Sequence, residues 1–427
     1  MKSLVWAFLI GPLFLQAQQQ GMTFEKNSTW LEILQKAKAE RKYIFVDCLA
    51  SWCSPCKWMD KYVYSNDTVA KFMDNAFVAV KMQMDTTTGD AGYIRNWYGT
   101  AHTLGVQYKI RAYPSFLFFS PDGRAVHKDL GIKNVEEFLA LAQTAMDPRR
   151  QFYTLLSQYQ QGCNDYALIR LLVDAAKELT EDSLSDTIAR DYLDNYLTKL
   201  ARQDIWTNEN LAFIGRHRQL IHRQDPLFKM YLTDRRTIDS ILGGKGKTNR
   251  LINYVVYNDE VFPSVNLGIE GSTEPNWHRI EEKIAKLYGR EYVTENLTKG
   301  RVVFCKARRQ WANYAKFLVR QMEQAKCRSW PAGEANSLIL NNCAFEIFKY
   351  SNKRRELQMA LLWIEHALPM DNIVKANEMD TRANLLYKLG RKQDGLALEE
   401  QSHKLAPNDK EIQANYAKMK SGLPTWE

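Results

Sequence analysis

The stretch VDCLASWCSPCKWM (46–59) places two cysteines, Cys53 and Cys56, either side of Ser54 and Pro55, with Asp47 six positions before the first. Such a pair can bind a metal, staple a turn or trade electrons. A zinc knuckle needs a second ligand pair at matching spacing. Cys48 has no second cysteine beside it, and His102 and His127 are single. A copper site would want a histidine opposite the cysteines, a place the spacing assigns to neither. A purely structural disulfide across four residues would be strained. The redox reading has a physical basis. A helix beginning at the motif presents unpaired N–H groups and the positive end of its dipole to the first cysteine. Cys53, expected exposed at that end, then holds a thiolate more readily than a free cysteine does. Cys56, one turn on and more buried, is the resolving thiol. Pro55 suits the first helical turn, where its fixed φ helps and its missing N–H costs nothing.

The surrounding elements put the motif where chemistry is done. NSTWLEILQKAKAERK (27–42) reads as a capped amphipathic helix. KYIFVDCL (42–49) and FVAVKMQMD (77–85) read as strands, with WMDKYVYSNDTVAKFMDN helical between them. SFLFFS (115–120), the turn Pro121-Asp122-Gly123 and RAVHKDLG (124–131) predict a hairpin, and NVEEFLALAQTAM (134–146) a closing helix. That order specifies an α/β fold, a mixed central sheet flanked by helices. Cys53 falls at the carboxyl end of the first central strand, where active residues of such sheets belong.

FVDCLASWCSPCK resembles the active-site stretch of thioredoxins and of exported thioredoxin-like reductants. The resemblance covers residues 24–146 and implies roles residue by residue. Cys53 and Cys56 would be the catalytic dithiol, with Asp47 the buried carboxylate that takes the resolving thiol's proton. Lys81 would pair with that carboxylate. Trp52 would flank the motif, and Pro114 would be a cis-proline offering strand edge to a substrate chain, with Tyr113 beside it. Pro55 and Lys57 would support the helix start. No cofactor is implied. Ser-Pro replaces the family's Gly-Pro, which bears on the reduction potential and so on the direction of electron flow. The segment 86–109 is longer than in plain thioredoxins. Its Tyr93, Trp97 and Tyr98 fit an overhanging specificity element and helix core equally well.

Beyond residue 150 the strand signals thin out, and 150–427 reads as an all-helical domain bounded by Asp147-Pro148. Within 335–420, TRANLLYKLGRKQDGLALEEQSHKLAPND (381–409) resembles the tetratricopeptide family through Leu385, Tyr387, Leu389, Gly390, Ala397, Ala406 and Pro407. Only about one and a half units match, where stable arrays need three or more. A protein partner on this region is the matching expectation.

The chain opens MKSLVWAFLIGPLFLQAQQQ, a positive end, a short apolar core and a small residue, the order of a signal peptide at 1–17 cut near Ala17. The thioredoxin-like domain then occupies 22–147. Export to the periplasm or outside makes a dithiol a working group, since thiols there tend to be oxidised. Of the other five cysteines, Cys48 reads as a buried free thiol in a strand. Pairing among Cys163, Cys305, Cys327 and Cys343 stays open. The formal charge of +9 is carried by basic clusters with helical spacing, which fit solvated helix faces and not nucleic-acid binding. The expected activity is exchange of electrons with disulfide-bearing or thiol-bearing proteins, as a reductant recharged by a membrane electron donor. The rivals are an isomerase or oxidant, and a non-catalytic scaffold that binds through the helices.

Overall fold

In the computed structural model, residues 21–265, 274–370 and 375–426 are described. The signal-like segment at 1–17 lies outside them. Contacts divide the chain into two compact units, one ending at Leu200 and the other beginning at Ala201.

The first unit is built on four strands in the order β2-β1-β3-β4: β1 (Tyr43–Leu49), β2 (Phe77–Gln83), β3 (Ser115–Phe119) and β4 (Ala125–Leu130). β1 pairs with β2 in parallel and with β3 antiparallel, and β3 pairs antiparallel with β4. The mixed sheet read from the sequence is therefore present. α1 (Trp30–Glu40) starts with a capping box, in which the Glu32 amide donates to the Thr29 hydroxyl and Glu32 accepts from the Thr29 amide. Gly123, at φ 83°, makes the turn of the β3–β4 hairpin.

β1 is the central strand, and its alternation separates two apolar layers. Phe45 faces α2 (Ser54–Tyr62) and α6 (Val135–Met146), packing among Tyr64, Phe116, Phe118 and Phe138. Ile44, Val46 and Cys48 face the other way, toward α1 and the core around Trp97. Asp47 shares the Phe45 face and feels the charge of Asp60 on α2.

Two boundaries differ from the periodicity. The helical run after the motif is broken, because Asn66 caps a new helix, α3 (Asp67–Ala76), by accepting from the Thr68 and Val69 amides. The strands stop before Pro148, yet the compact division falls later. α7 (Phe152–Gln160) packs on β4, where the buried His127 Nδ1 accepts from the Phe152 amide at 3.0 Å. α8 (Tyr166–Glu178) and α9 (Asp182–Asn195) pack on in turn, so they group with the sheet.

All described elements of the second unit are helical, and 66% of the structure is helix. Toward its end Glu334–Tyr350, Arg354–Ala367, Ala376–Lys388, Lys392–Leu405 and Lys410–Lys420 pack on one another in sequence. Gly395 lets two of these helices meet closely; a Cβ there would lie 2.9 Å from the Ala383 carbonyl. Among the described residues, no helix is long and apolar enough to cross a membrane. A fragment of residues 201–427 is expected to give a helical circular dichroism spectrum and one cooperative melt. A disordered spectrum would show that this unit cannot stand without the sheet.

Candidate functional site

Cys53 is the N-cap of α2, and its sulfur accepts from the Cys56 amide at 3.1 Å. Pro55 sits in the first turn, as its fixed φ favours. The two cysteines form a disulfide, with Cα atoms 5.4 Å apart. The loop before them is fixed from the strand side. Ser51 donates its amide to Asp85 at 2.9 Å and its hydroxyl to the same carboxylate, and the Cys53 amide donates to Ala50. Asp85 was not singled out in the sequence; it closes the apolar run 77–85 and lies two residues past the end of β2, at the carboxyl end of the sheet from which the motif also leaves.

Cys53 is not exposed, contrary to the expectation for a helix-end nucleophile. It is 1% exposed and Cys56 4%, because Ala50, Leu49 and Tyr113 pack over the disulfide. Trp52 stands outside this cover, 68% exposed, with its ring edge-on to Tyr113 at 5.8 Å. Tyr113–Pro114 is a cis peptide bond, as the resemblance implies. The Pro114 carbonyl already accepts from the Gly131 amide at 2.9 Å, so that atom is not open strand edge. Lys57 is exposed on the first turn of α2.

Asp47 is 1% exposed, and neither carboxylate oxygen has a hydrogen-bond partner. Burial pushes its pKa from the ordinary 3.8 up to about 7, against the opposing pull of Lys81 and with help from the negative charge of Asp60. Tyr64, buried on the same face, has its phenol near enough to Asp47 for the two groups to act on one another, though they do not meet hydrogen-bond geometry. Burial and the nearby carboxylates hold that phenol well above its usual range.

Lys81 departs from the family pattern. It lies across from Asp47 in the β1–β2 register, yet its ammonium does not bond to Asp47. It forms an ion pair with Asp60, one turn beyond Cys56 on α2, and lies over the rings of Phe24 and Tyr64 at 4.8 and 5.4 Å. The physical reason is solvation. Asp60 is partly exposed, so a lysine can meet its charge without leaving water, whereas Asp47 offers only a dry pocket. Asp60 and Tyr64 were missed in the sequence. The i+4 spacing of Asp60 from Cys56, on the same side of one helix, was the available signal.

The three aromatics of segment 86–109 have different surroundings. Trp97 is core, 5% exposed against the sheet. The Tyr98 hydroxyl donates to Asp90 and helps fix the loop before α4 (Gly92–Arg95). Tyr93 is partly exposed and, with Trp97, Leu49, Phe24, Asp60 and Lys81, lines a cleft of about 230 Å³. All of the cysteines outside the motif are free: Cys48, Cys305 and Cys327 buried, Cys163 and Cys343 partly so.

A sequence profile of the thioredoxin-like family matches residues 26–121. A thioredoxin H-type from Fagopyrum esculentum is 31% identical over 107 residues, covering 25% of this chain and 76% of that protein. The chain belongs to the thioredoxin-like family. The thioredoxin-like part is also 29% identical over 90 residues to the thiol:disulfide interchange protein DsbD of Yersinia pestis (strain Pestoides F). That match covers 21% of this chain and 13% of DsbD, so the chain spans only about an eighth of that relative's length. Among solved structures, a candidate disulphide-isomerase from Bacteroides thetaiotaomicron is 30% identical, covering 31% of this chain and 98% of that one, with a TM-score of 0.26.

Proposed function

We propose that this chain is an exported thiol–disulfide oxidoreductase that reduces disulfides in other proteins. The observation that carries the reading is a dithiol pair at the start of α2, with a buried carboxylate that has no hydrogen-bond partner, Asp47, on the strand leading into it. In the reduced protein the Cys53 thiolate attacks one sulfur of a substrate disulfide. The substrate S–S bond breaks, the departing sulfur leaves as a thiolate and takes a proton from water, and a mixed disulfide joins Cys53 to the substrate. Asp47 then accepts the proton of the Cys56 thiol. The Cys56 thiolate attacks the Cys53 sulfur, the mixed disulfide breaks, and the second substrate sulfur leaves and is protonated. Two electrons have passed to the substrate, and the Cys53–Cys56 disulfide remains. A dithiol donor restores it by the same exchange in reverse.

Several features support the finer parts of this reading. The opening MKSLVWAFLIGPLFLQAQQQ supports export. Pro55 and Asp47 favour the reducing direction, and a reductant outside the cytoplasm needs a membrane-borne electron donor. The helix pairs at 335–420, with their tetratricopeptide-like pattern, suit the docking of a protein partner. Trp52 and Tyr113, flanking the disulfide, are the side chains a substrate polypeptide would meet first.

A Cys56→Ser variant tests the proposal, because it can attack but cannot resolve. Expressed with its signal intact, it is expected to accumulate as mixed disulfides that mass spectrometry places at Cys53. Absence of adducts, with the variant folded, would remove the redox reading and leave the scaffold alternative.

A further inference from the structure

The cleft lined by Leu49, Tyr93 and Trp97 has charged groups at its wall that the exchange steps above do not use. Lys81 and Asp60 line it as an ion pair, with side chains 32% and 45% exposed. Just behind them Asp47 is dry and unbonded. The groups around Asp47 can be taken element by element. β2 brings Lys81, α2 brings Asp60, and the turn after α2 brings Tyr64. β3 brings the apolar Phe116 directly across from it. Lys81 is thus the one cation among these neighbours, and Asp60 the one other carboxylate.

Two arrangements of the same lysine have opposite consequences. An ammonium turned to Asp47 would favour its ionised form and make it a weak base. An ammonium held by Asp60 leaves Asp47 subject mainly to burial, which favours the protonated form. The structure holds the second arrangement. The ammonium rests on the faces of Phe24 and Tyr64 while paired to Asp60, so three side chains fix its direction.

We propose that Asp60 is a positioning residue for the resolving step: it holds Lys81 off Asp47 and so keeps Asp47 able to accept the proton of Cys56. The proposal rests on the oxidoreductase reading for its consequence, but not for its first test. The Asp47 carboxyl can be followed by carbon NMR in the oxidised, full-length protein, where no substrate is involved. Asp60→Asn frees Lys81 and removes a negative charge, so the Asp47 midpoint is expected to fall by about one pH unit or more. Asp60→Glu is expected to keep it in place. Lys81→Met is expected to raise it, and in Asp60→Asn/Lys81→Met the fall is expected to be much smaller than in Asp60→Asn alone. In the reduced enzyme, the acid limb of the pH profile for resolution should move down with the Asp60→Asn midpoint. An Asp47 midpoint unchanged by Asp60→Asn, in a protein where Lys81→Met does move it, would overturn the proposal. A resolving step with no pH dependence in the parent enzyme would instead overturn the base role of Asp47, which the titration does not require.

Discussion

At about pH 8, oxidised Asp47→Asn protein is expected to be more stable than the parent by about 4 kcal/mol. The Asp47 pKa is raised from 3.8 to about 7 in the folded protein, and each pH unit of that rise is worth about 1.4 kcal/mol. An acid whose folded value lies above its unfolded one binds its proton more tightly when folded. Its contribution is complete below the unfolded value and is lost as pH rises through the folded one. Relative to the variant, the parent should therefore lose stability between about pH 4 and pH 7; the buried His127 and Glu399 titrate in both proteins and cancel in the difference. Urea unfolding at the two ends of this range measures the difference. A parent-to-variant difference that is the same at both ends would show that Asp47 is not destabilised by burial. The gain in stability should come with a loss in catalysis. Resolution of the mixed disulfide at pH 7 is expected to slow by about a hundredfold, the scale of general-base assistance. The deficit should shrink at high pH, where Cys56 ionises unaided. A loss equal at all pH values would make Asp47 structural.

Phe45→Ala is expected to cost about 3–5 kcal/mol, the range for emptying a large aromatic site in a core. Phe45 is fully buried on the central strand and touches Tyr64, Phe116, Phe118 and Phe138 with ring centroids 5.2–6.3 Å apart. It lies two residues from Asp47 on the same face, so the cavity would open beside the carboxylate. Admitted water should then lower the Asp47 midpoint, since desolvation is what raises it. Chemical denaturation gives the first quantity and the NMR titration the second. A cost below about 1 kcal/mol would mean that the layer collapses around the gap.

What could be read from the sequence was whatever depends on local spacing. Cys53, Cys56 and Pro55 announce a helix start because a cap and a first turn are set by adjacent residues. The strands around Asp47 and Phe116 follow from β-branched and aromatic runs, and their pairing into a mixed sheet from element order. The partner of Lys81 was not legible in this way. Register places it beside Asp47, but the choice of Asp60 depends on side-chain direction and on which carboxylate stays in water. The burial of Cys53 likewise depends on Tyr113, sixty positions away, closing over it. The break at Asn66 was visible as a capping residue, yet the helical spacing on both sides masked it. Periodicity marks the last strand and the helix that closes before Pro148, but says nothing of how α7 is tied back to His127, which makes the compact unit longer.

The cover over Cys53 has a bearing on who can open the disulfide. A thiol displaces a sulfur by approaching in line with the bond it breaks, and a sulfur with 1% of its residue's surface exposed offers almost no such path. In-line approach to it would require Tyr113, Ala50 or the end of β1 at Leu49 to move aside. A small thiol in solution brings nothing that would favour that movement. A polypeptide that grips the projecting Trp52 can spend its adhesion on shifting Tyr113, the ring Trp52 leans against. For the exchange proposed above, the packing would act as a latch with an external handle, and admission to the bond would be granted by touch before it is decided by chemistry.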